Sequence, residues 1–341
     1  MSTMQAVQVS EAGGEFEVVE QPIPEPGPGE VRIKVHACGI CHSDAFVKDG
    51  AMPGIEYPRV PGHEVAGVVD AVGSDVSQWE VGQSVGVGWH GGHCFDCEAC
   101  RAGDFVNCEN GQICGISYDG GYAEYMVAPQ EAVASMPDGL DYTDAAPLLC
   151  AGITTYNALR NSDLQPGDHV AVQGIGGLGH LAVQYARQFG CEVTALSRGT
   201  DKEELAYGLG ANNYIDTTAH DPAEALQALG GADVILATAP NSKAISELVG
   251  GLGRDGQLLV VAATGEPIEV SPLDLIMGRK SVYGWPSGTA DDSEDTLDFS
   301  ALNDVAPMIE TYSLSEADAA YDRMINNEAR FRVVLVPEHD A

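Results

Sequence analysis

The stretch His169-Val170-Ala171-Val172-Gln173 followed by Gly174-Ile175-Gly176-Gly177-Leu178-Gly179 decides the fold. A short β-rich run ends in a G-x-G-x-x-G turn. A helical pattern then extends through Phe189, and a second apolar run follows at 193–196. A glycine hexapeptide alone is a weak signal; it gains meaning because it closes a strand and opens a helix. In that setting the glycines let the backbone approach a pyrophosphate, whose charge sits at the helix N-terminus. Gly174, Gly176, Gly177, Leu178 and Gly179 are therefore expected to form a dinucleotide-binding turn.

The same alternation continues downstream, with helical patterns at 203–209, 222–229 and 244–252 and strands at 213–215, 234–237 and 257–262. Such alternation implies a doubly wound parallel sheet, the Rossmann arrangement. The end of its second strand bears on which dinucleotide binds. An NAD site tends to place Asp or Glu about 20 residues beyond the glycines to hold the ribose 2′-hydroxyl, but here the chain reads Leu196-Ser197-Arg198-Gly199-Thr200. With no carboxylate to repel a 2′-phosphate, Arg198 offers a planar cation, flanked by the hydroxyls of Ser197 and Thr200. NADP is preferred over NAD on this evidence; the competing account of Arg198 is a solvated turn residue.

Upstream, residues 1–150 are rich in Gly and Pro and carry short β-like runs at 5–9, 31–35, 66–72 and 83–88, which suggests a small β-barrel-like domain. Beyond Gly284 come acidic helical patterns at 291–302 and 316–326 and a strand at 331–336, expected to return to that first domain. The chain has nine cysteines, an odd total that favours metal ligation over a disulfide framework. Cys94, Cys97, Cys100 and Cys108 form C-x2-C-x2-C-x7-C. Four thiolates this close can wrap one zinc ion tetrahedrally and leave no vacancy, which makes that metal structural. His90 and His93 beside them then find no place in the set. Cys41-His42-Ser43-Asp44, Gly62-His63-Glu64 and Cys150 form a scattered second constellation. Should they meet, Cys41, His63 and Cys150 provide two sulfurs and one nitrogen, with the fourth position open as catalytic zinc requires. Singly, each has an ordinary alternative: a hydrogen-bonded loop histidine, or a buried thiol acting as a small hydrophobe. Trp89 and Trp285 are candidate pocket walls or plain packing.

Of 341 residues, 16 are Lys or Arg and 51 are Asp or Glu, a formal charge of −35. A field of that sign repels phosphate backbones and anionic lipid surfaces, so neither nucleic acid nor membrane is an expected partner. The N-terminal residues show no secretory pattern and no apolar run reaches membrane-spanning length, so a cytoplasmic protein is expected. The acidic residues are dispersed, and only five lysines accompany eleven arginines. Self-repulsion from such a surface is screened over about 3 Å at 1 M salt, which points to a high-salt cytoplasm. The alternative is an ordinary acidic enzyme.

Taken in order, Gly39-Ile40-Cys41-His42-Ser43-Asp44, Gly62-His63-Glu64, the four-cysteine loop, Leu149-Cys150-Ala151-Gly152, the glycine turn and Ala329-Arg330-Phe331-Arg332-Val333 resemble the zinc-dependent medium-chain alcohol dehydrogenases over nearly the whole chain. The resemblance implies a GroES-like catalytic domain (1–150, completed by 285–341) around a Rossmann cofactor domain (151–284), with substrate in the cleft between them. It makes Cys41, His63 and Cys150 the catalytic zinc ligands, with Glu64 counted in that metal set, and Cys94, Cys97, Cys100 and Cys108 the structural ones. Ser43 takes the proton of the alcohol, Asp44 and Glu64 are carboxylates behind the ligands, and His42 and Arg332 resemble pyrophosphate contacts. The implied reaction interconverts a small-molecule alcohol, primary by family analogy, with an aldehyde or ketone by hydride transfer; the implied assembly is a homo-tetramer or homo-dimer. Two departures stand out. Phe46 replaces a histidine that many relatives use to continue the proton relay, and Gly288-Thr289-Ala290 stands where many have Gly-Thr-Arg. A polyol or formaldehyde-type dehydrogenase on the same scaffold is the nearest alternative, and a non-catalytic zinc-ribbon binding protein the more distant one.

Overall fold

The computed structural model describes residues 2–338, and they form two compact units. One runs to Ile153 and resumes at Gly288; the other is Thr154–Ser287. In the second unit the strand His169–Gln173 is buried at every position, the pattern of a parallel strand covered on both faces. Its sheet has six parallel strands, in the order Asn213–Asp216, Glu192–Ser197, His169–Gln173, Ala232–Ala237, Leu252–Val260 and Ser281–Gly284. Chain order reverses on either side of His169–Gln173, so the crevice for a ligand lies beyond the carboxyl ends of that strand and of Ala232–Ala237. The glycine turn occupies that position. Ile235, Leu258, Ile245 and Leu248 pack in the core on one side of the sheet.

One boundary differs from the sequence expectation. The helix over 244–252 closes early: Ser242–Leu248 is helical, a tight turn takes Val249–Gly251, and the next strand already begins at Leu252. That strand carries a register shift against Ala232–Ala237, with Asp255 in the left-handed region at φ 61°, so its first residues do not alternate and read poorly as a strand.

The first unit is built on a seven-stranded sheet whose path runs Ile309–Ser313, Arg332–Val336, Glu30–Ile40, Val65–Val72, Ser84–Val87 and Val133–Ser135, with Tyr125–Pro129 off that path also pairing Glu30–Ile40. The long strand Glu30–Ile40 alternates between buried and half-buried residues as far as Ala37 and is then buried on both faces up to Ile40. The chain thus delivers Cys41 to a dry interior. Ile33, Val35, Tyr122, Met126 and Leu335 fill the core there; burying each such side chain contributes about 1.5–3 kcal/mol. Arg332–Val336 pairs with the last residues of Glu30–Ile40, bringing a segment from the far end of the sequence beside Cys41. Thr289 caps the helix Ala290–Leu302 in a reciprocal capping box with Asp292, which is the local role of the Gly-Thr-Ala segment. Among the described residues no helix is long and apolar enough to cross a membrane.

Candidate active site

Within the first unit, one ligand atom each from Cys41, His63, Glu64 and Cys150 lie within 4.8 Å of one another. Three separate elements deliver them. Cys41 follows the strand Glu30–Ile40, and His63 and Glu64 lead into Val65–Val72. Cys150 sits in a single π-helical turn, Leu148–Gly152, between the helices Tyr142–Pro147 and Ile153–Arg160. Such turns widen a helix locally and recur at functional positions.

The donor set fits a metal. Sulfurs about 2.3 Å from a central zinc in a tetrahedron stand about 3.8 Å apart, and Cys41 Sγ and Cys150 Sγ are separated by 3.8 Å. His63 is buried, with Nδ1 3.2 Å from Asp44 Oδ1 and Nε2 left without a partner among the described residues. A buried unpaired ring nitrogen is costly unless something occupies it. Asp44 would hold the tautomer that leaves Nε2 available to a metal. Burial works against protonating His63, but Asp44 and the Cys41 sulfur outweigh it and hold its pKa well above the usual imidazole value. The two thiols divide their proton unevenly. The hydrogen bond from Cys150, with His63 nearby, pulls Cys41 well down, while the same contact and burial push Cys150 up.

Glu64 is fully buried, and its Oε1 receives Arg332 Nη2 in a close ion pair while Oε2 has no partner. Burial raises the Glu64 carboxyl to about 7 against the pull of Arg332. Arg332 also donates to Ile40 O at 3.1 Å and is only 5% exposed. Its bond to Glu64 at the base of the metal cluster is a role the sequence did not disclose. His42 is exposed and Ser43 half-buried on the short turn His42–Asp44, and neither side chain has a partner among the described residues. Phe46 packs edge-on to Trp89, whose ring in turn stands edge-on to His63 with centroids 4.9 Å apart. Trp89 therefore walls the His63 side of the site.

Cys94, Cys97, Cys100 and Cys108 form the second cluster. Three of their Sγ–Sγ separations are 3.6, 3.9 and 4.0 Å, close to the same tetrahedral edge. Backbone N–H groups of Cys94, Cys97, Cys100 and Asn110 point at sulfurs, and Asn110 Nδ2 donates to Cys94 Sγ. The Asn110 side chain foremost, then the backbone N–H groups of Asp96 and Cys97, bring Cys94 down to about 6. Burial instead lifts Cys100 to about 12. His90 Nε2 and His93 Nδ1 bond each other at 3.0 Å and stand outside the thiol set.

In the second unit, the glycine turn is shaped for a ligand's backbone approach. Gly174 has φ 91°, and a Cβ on Gly179 would run into Gly174 O, so neither position accepts a side chain. Gly176 faces open space. Gly177 and Leu178 are half-exposed, and the helix Gly179–Gln188 starts directly behind them. The adjacent strand end is tied to the turn by Gly174 N donating to Leu196 O at 2.9 Å, which places Ser197, Arg198 and Thr200 at the same edge of the sheet. Arg198 is exposed with no partner among the described residues. Two contacts here escaped sequence reading: Lys202 Nζ donates to Ile175 O at 2.7 Å, and Asp216 Oδ1 accepts from Gly199 N at 2.7 Å.

Residues 27–138 match the alcohol dehydrogenase GroES-like domain model and residues 177–301 the zinc-binding dehydrogenase model. An alcohol dehydrogenase, patD, of Penicillium expansum is 45% identical over 98% of both chains. The chain belongs to the zinc-binding medium-chain dehydrogenase family. Among solved structures of this family, a cinnamyl alcohol dehydrogenase of Sorghum bicolor superposes with a TM-score of 0.89 at 33% identity over all of both chains. A CAD from Helicobacter pylori complexed with NADP(H) gives 0.87 at 28% identity over 98% of each. The chain is thus an NAD(P)-dependent oxidoreductase of the alcohol and aldehyde dehydrogenase type, with two candidate metal clusters that match the two-zinc arrangement of such enzymes.

Proposed function

We propose that this medium-chain dehydrogenase interconverts alcohols, primary ones foremost, with aldehydes or ketones, with NADP(H) preferred, at a catalytic zinc held by Cys41, His63 and Cys150. The observation that carries the reading is the buried His63 Nε2, unpartnered among the described residues, on a ring whose ligand nitrogen clusters within 4.8 Å of two cysteine sulfurs and a carboxylate. When bound, zinc supplies Lewis-acid polarisation of an alcohol or carbonyl oxygen, and the dinucleotide supplies the hydride acceptor or donor.

The chain's own residues do the rest. Asp44 fixes the His63 ring through Nδ1. Glu64 and Arg332 place a paired charge beneath the thiolates. Ser43 Oγ, one residue removed from Asp44 and free of other partners among the described residues, takes the proton of the substrate hydroxyl and returns it in the reverse direction. Phe46, packed on Trp89, has no group to carry a proton onward, so Ser43 gives up its own hydroxyl proton to solvent water as it accepts the substrate's. Cys94, Cys97, Cys100 and Cys108 hold a structural zinc.

Residues 1–150 with 285–341 form the catalytic half and 151–284 the cofactor half. Gly174, Gly176, Gly177, Leu178 and Gly179 cradle the pyrophosphate, with His42 and Arg332 as further contacts. Ser197, Arg198 and Thr200 receive the 2′-phosphate, a reading supported by the exposed, unpaired Arg198 and by the NADP(H) complex of the Helicobacter pylori neighbour. A homo-oligomer is supported by the edge strand Ser281–Gly284 and the exposed Leu273, Ile276 and Met277 on the helix before it. The charge of −35 supports work in a high-salt cytoplasm.

Steady-state reduction of an aldehyde panel, with NADPH and NADH compared at about 50 mM and about 2 M salt, tests the whole reading. Turnover with aldehydes, faster with NADPH and rising with salt, is expected. No turnover with any aldehyde would remove the reaction, a preference for NADH would remove the Arg198 assignment, and equal structure and activity at both salt levels would remove the high-salt claim.

A further inference from the structure

Asp44 is the hub of the metal cluster, and all three of its polar contacts are buried. Its Oδ1 faces His63 Nδ1, and its Oδ2 accepts from Cys41 N at 2.8 Å and from Tyr122 Oη at 2.8 Å. Tyr122 is fully buried and lies 78 residues downstream of Asp44. Its backbone is pinned as well, since Tyr122 N donates to Pro61 O and Tyr122 O accepts from Val7 N. The ring packs against the residue preceding His63: Gly62 has φ 102°, and a Cβ there would run into the Tyr122 ring and Cys38 Sγ. One side chain thus bears on His63 from two directions, through the carboxylate that orients its ring and through the backbone that carries it.

We propose that Tyr122 is a positioning residue for the catalytic metal, acting through Asp44 on His63. The Oη donor fixes the Asp44 carboxylate in the plane that serves both His63 Nδ1 and Cys41 N, so two of the three ligands depend on it. Without that donor, Asp44 keeps two partners and gains freedom to rotate, and the His63 ring loses its fixed aim. Partners behind metal ligands typically change metal affinity by about 10- to 100-fold when removed. The cysteine loop 94–108 shares none of these contacts, which supplies an internal control in the same chain. The inference rests on the reading that Cys41, His63 and Cys150 hold a metal.

The test is Tyr122→Phe, which deletes the hydroxyl and keeps the ring, in the full-length, zinc-loaded protein. Release of each zinc equivalent to a chelator is followed with a chromogenic indicator. The ligand-field spectrum is recorded after cobalt replaces the more labile zinc. Tyr57→Phe, which removes a hydroxyl bonded only to Val47 O, serves as a comparison. Expected are loss of one equivalent about 10- to 100-fold faster in Tyr122→Phe, an unchanged second equivalent and a shifted cobalt spectrum. Tyr57→Phe is expected to behave as the parent. Asp44→Ala should release the same equivalent, and adding Tyr122→Phe to it should change nothing further. Parent-like release from Tyr122→Phe, equal acceleration of both equivalents, or full additivity with Asp44→Ala would overturn the proposal. A parent protein that binds only one zinc, in the four-cysteine loop, would instead overturn the site reading beneath it.

Discussion

The two cysteine clusters of the catalytic unit use similar ligands and are built in opposite ways. Cys94, Cys97, Cys100 and Cys108 come from one short loop, all but the buried Cys100 half-exposed, with backbone N–H groups and Asn110 aimed at the sulfurs. Cys41, His63 and Cys150 come from three elements, and a buried layer of Asp44, Glu64, Arg332 and Tyr122 stands behind them. A local loop that uses four thiolates closes the coordination sphere and organises only itself. On the proposed reading, three ligands gathered by the tertiary fold leave one position open, and buried charge must be compensated to keep that arrangement. Locality therefore goes with structural work here, and convergence goes with chemistry.

That contrast can be broken most directly by removing one ligand from each cluster. Cys41→Ala should reduce aldehyde turnover to background and leave one zinc per chain, with a thermal transition close to the parent's; near-parental turnover would end the contrast. Cys97→Ala should do the reverse, losing the loop zinc and lowering the melting temperature while part of the turnover survives. Limited proteolysis should then cut near the helix Glu98–Arg101.

A smaller effect tests the buried layer. Arg332→Leu leaves Glu64 uncompensated, and the loss of stability in denaturant titration should be about 3–5 kcal/mol, with the loop zinc retained. An exchange of the same kind on the loop, Asn110→Ala, removes one donor to Cys94 and should speed zinc release from the four-thiol site only a few-fold. If Asn110→Ala disturbed turnover as much as Arg332→Leu disturbs stability, the loop would be coupled to the active site and the division of labour would fail.

The same difference in locality explains what the sequence discloses. The four-cysteine loop is legible from spacing alone, because C-x2-C-x2-C-x7-C is a metal-ligand spacing that lets one short loop wrap four sulfurs around one ion. The glycine turn is legible because a strand and a helix flank it, and the structure places Gly174 and Gly179 where no Cβ fits. The meeting of Cys41, His63 and Cys150 is not legible from spacing, since 109 residues separate the two cysteines; only the ordered resemblance to a known family suggested it. Least legible are the Arg332 and Tyr122 contacts. A strand arginine and a core tyrosine have ordinary sequence surroundings, and their partners lie 268 and 78 residues away. The strands Phe16–Pro22, Ile309–Ser313 and Ser281–Gly284 were also missed, each being short or weakly patterned.

The central claim is that one zinc of this enzyme is bound by side chains brought together from distant parts of the chain, with room left for the reactant. Anomalous scattering from zinc in crystals of the metal-loaded protein measures this directly. Two peaks are predicted: one surrounded by Cys94, Cys97, Cys100 and Cys108, the other bonded to Cys41, His63 and Cys150 with its remaining position on water or substrate. A single peak at the loop, or a second peak closed by a fourth side chain that substrate does not displace, would contradict the account.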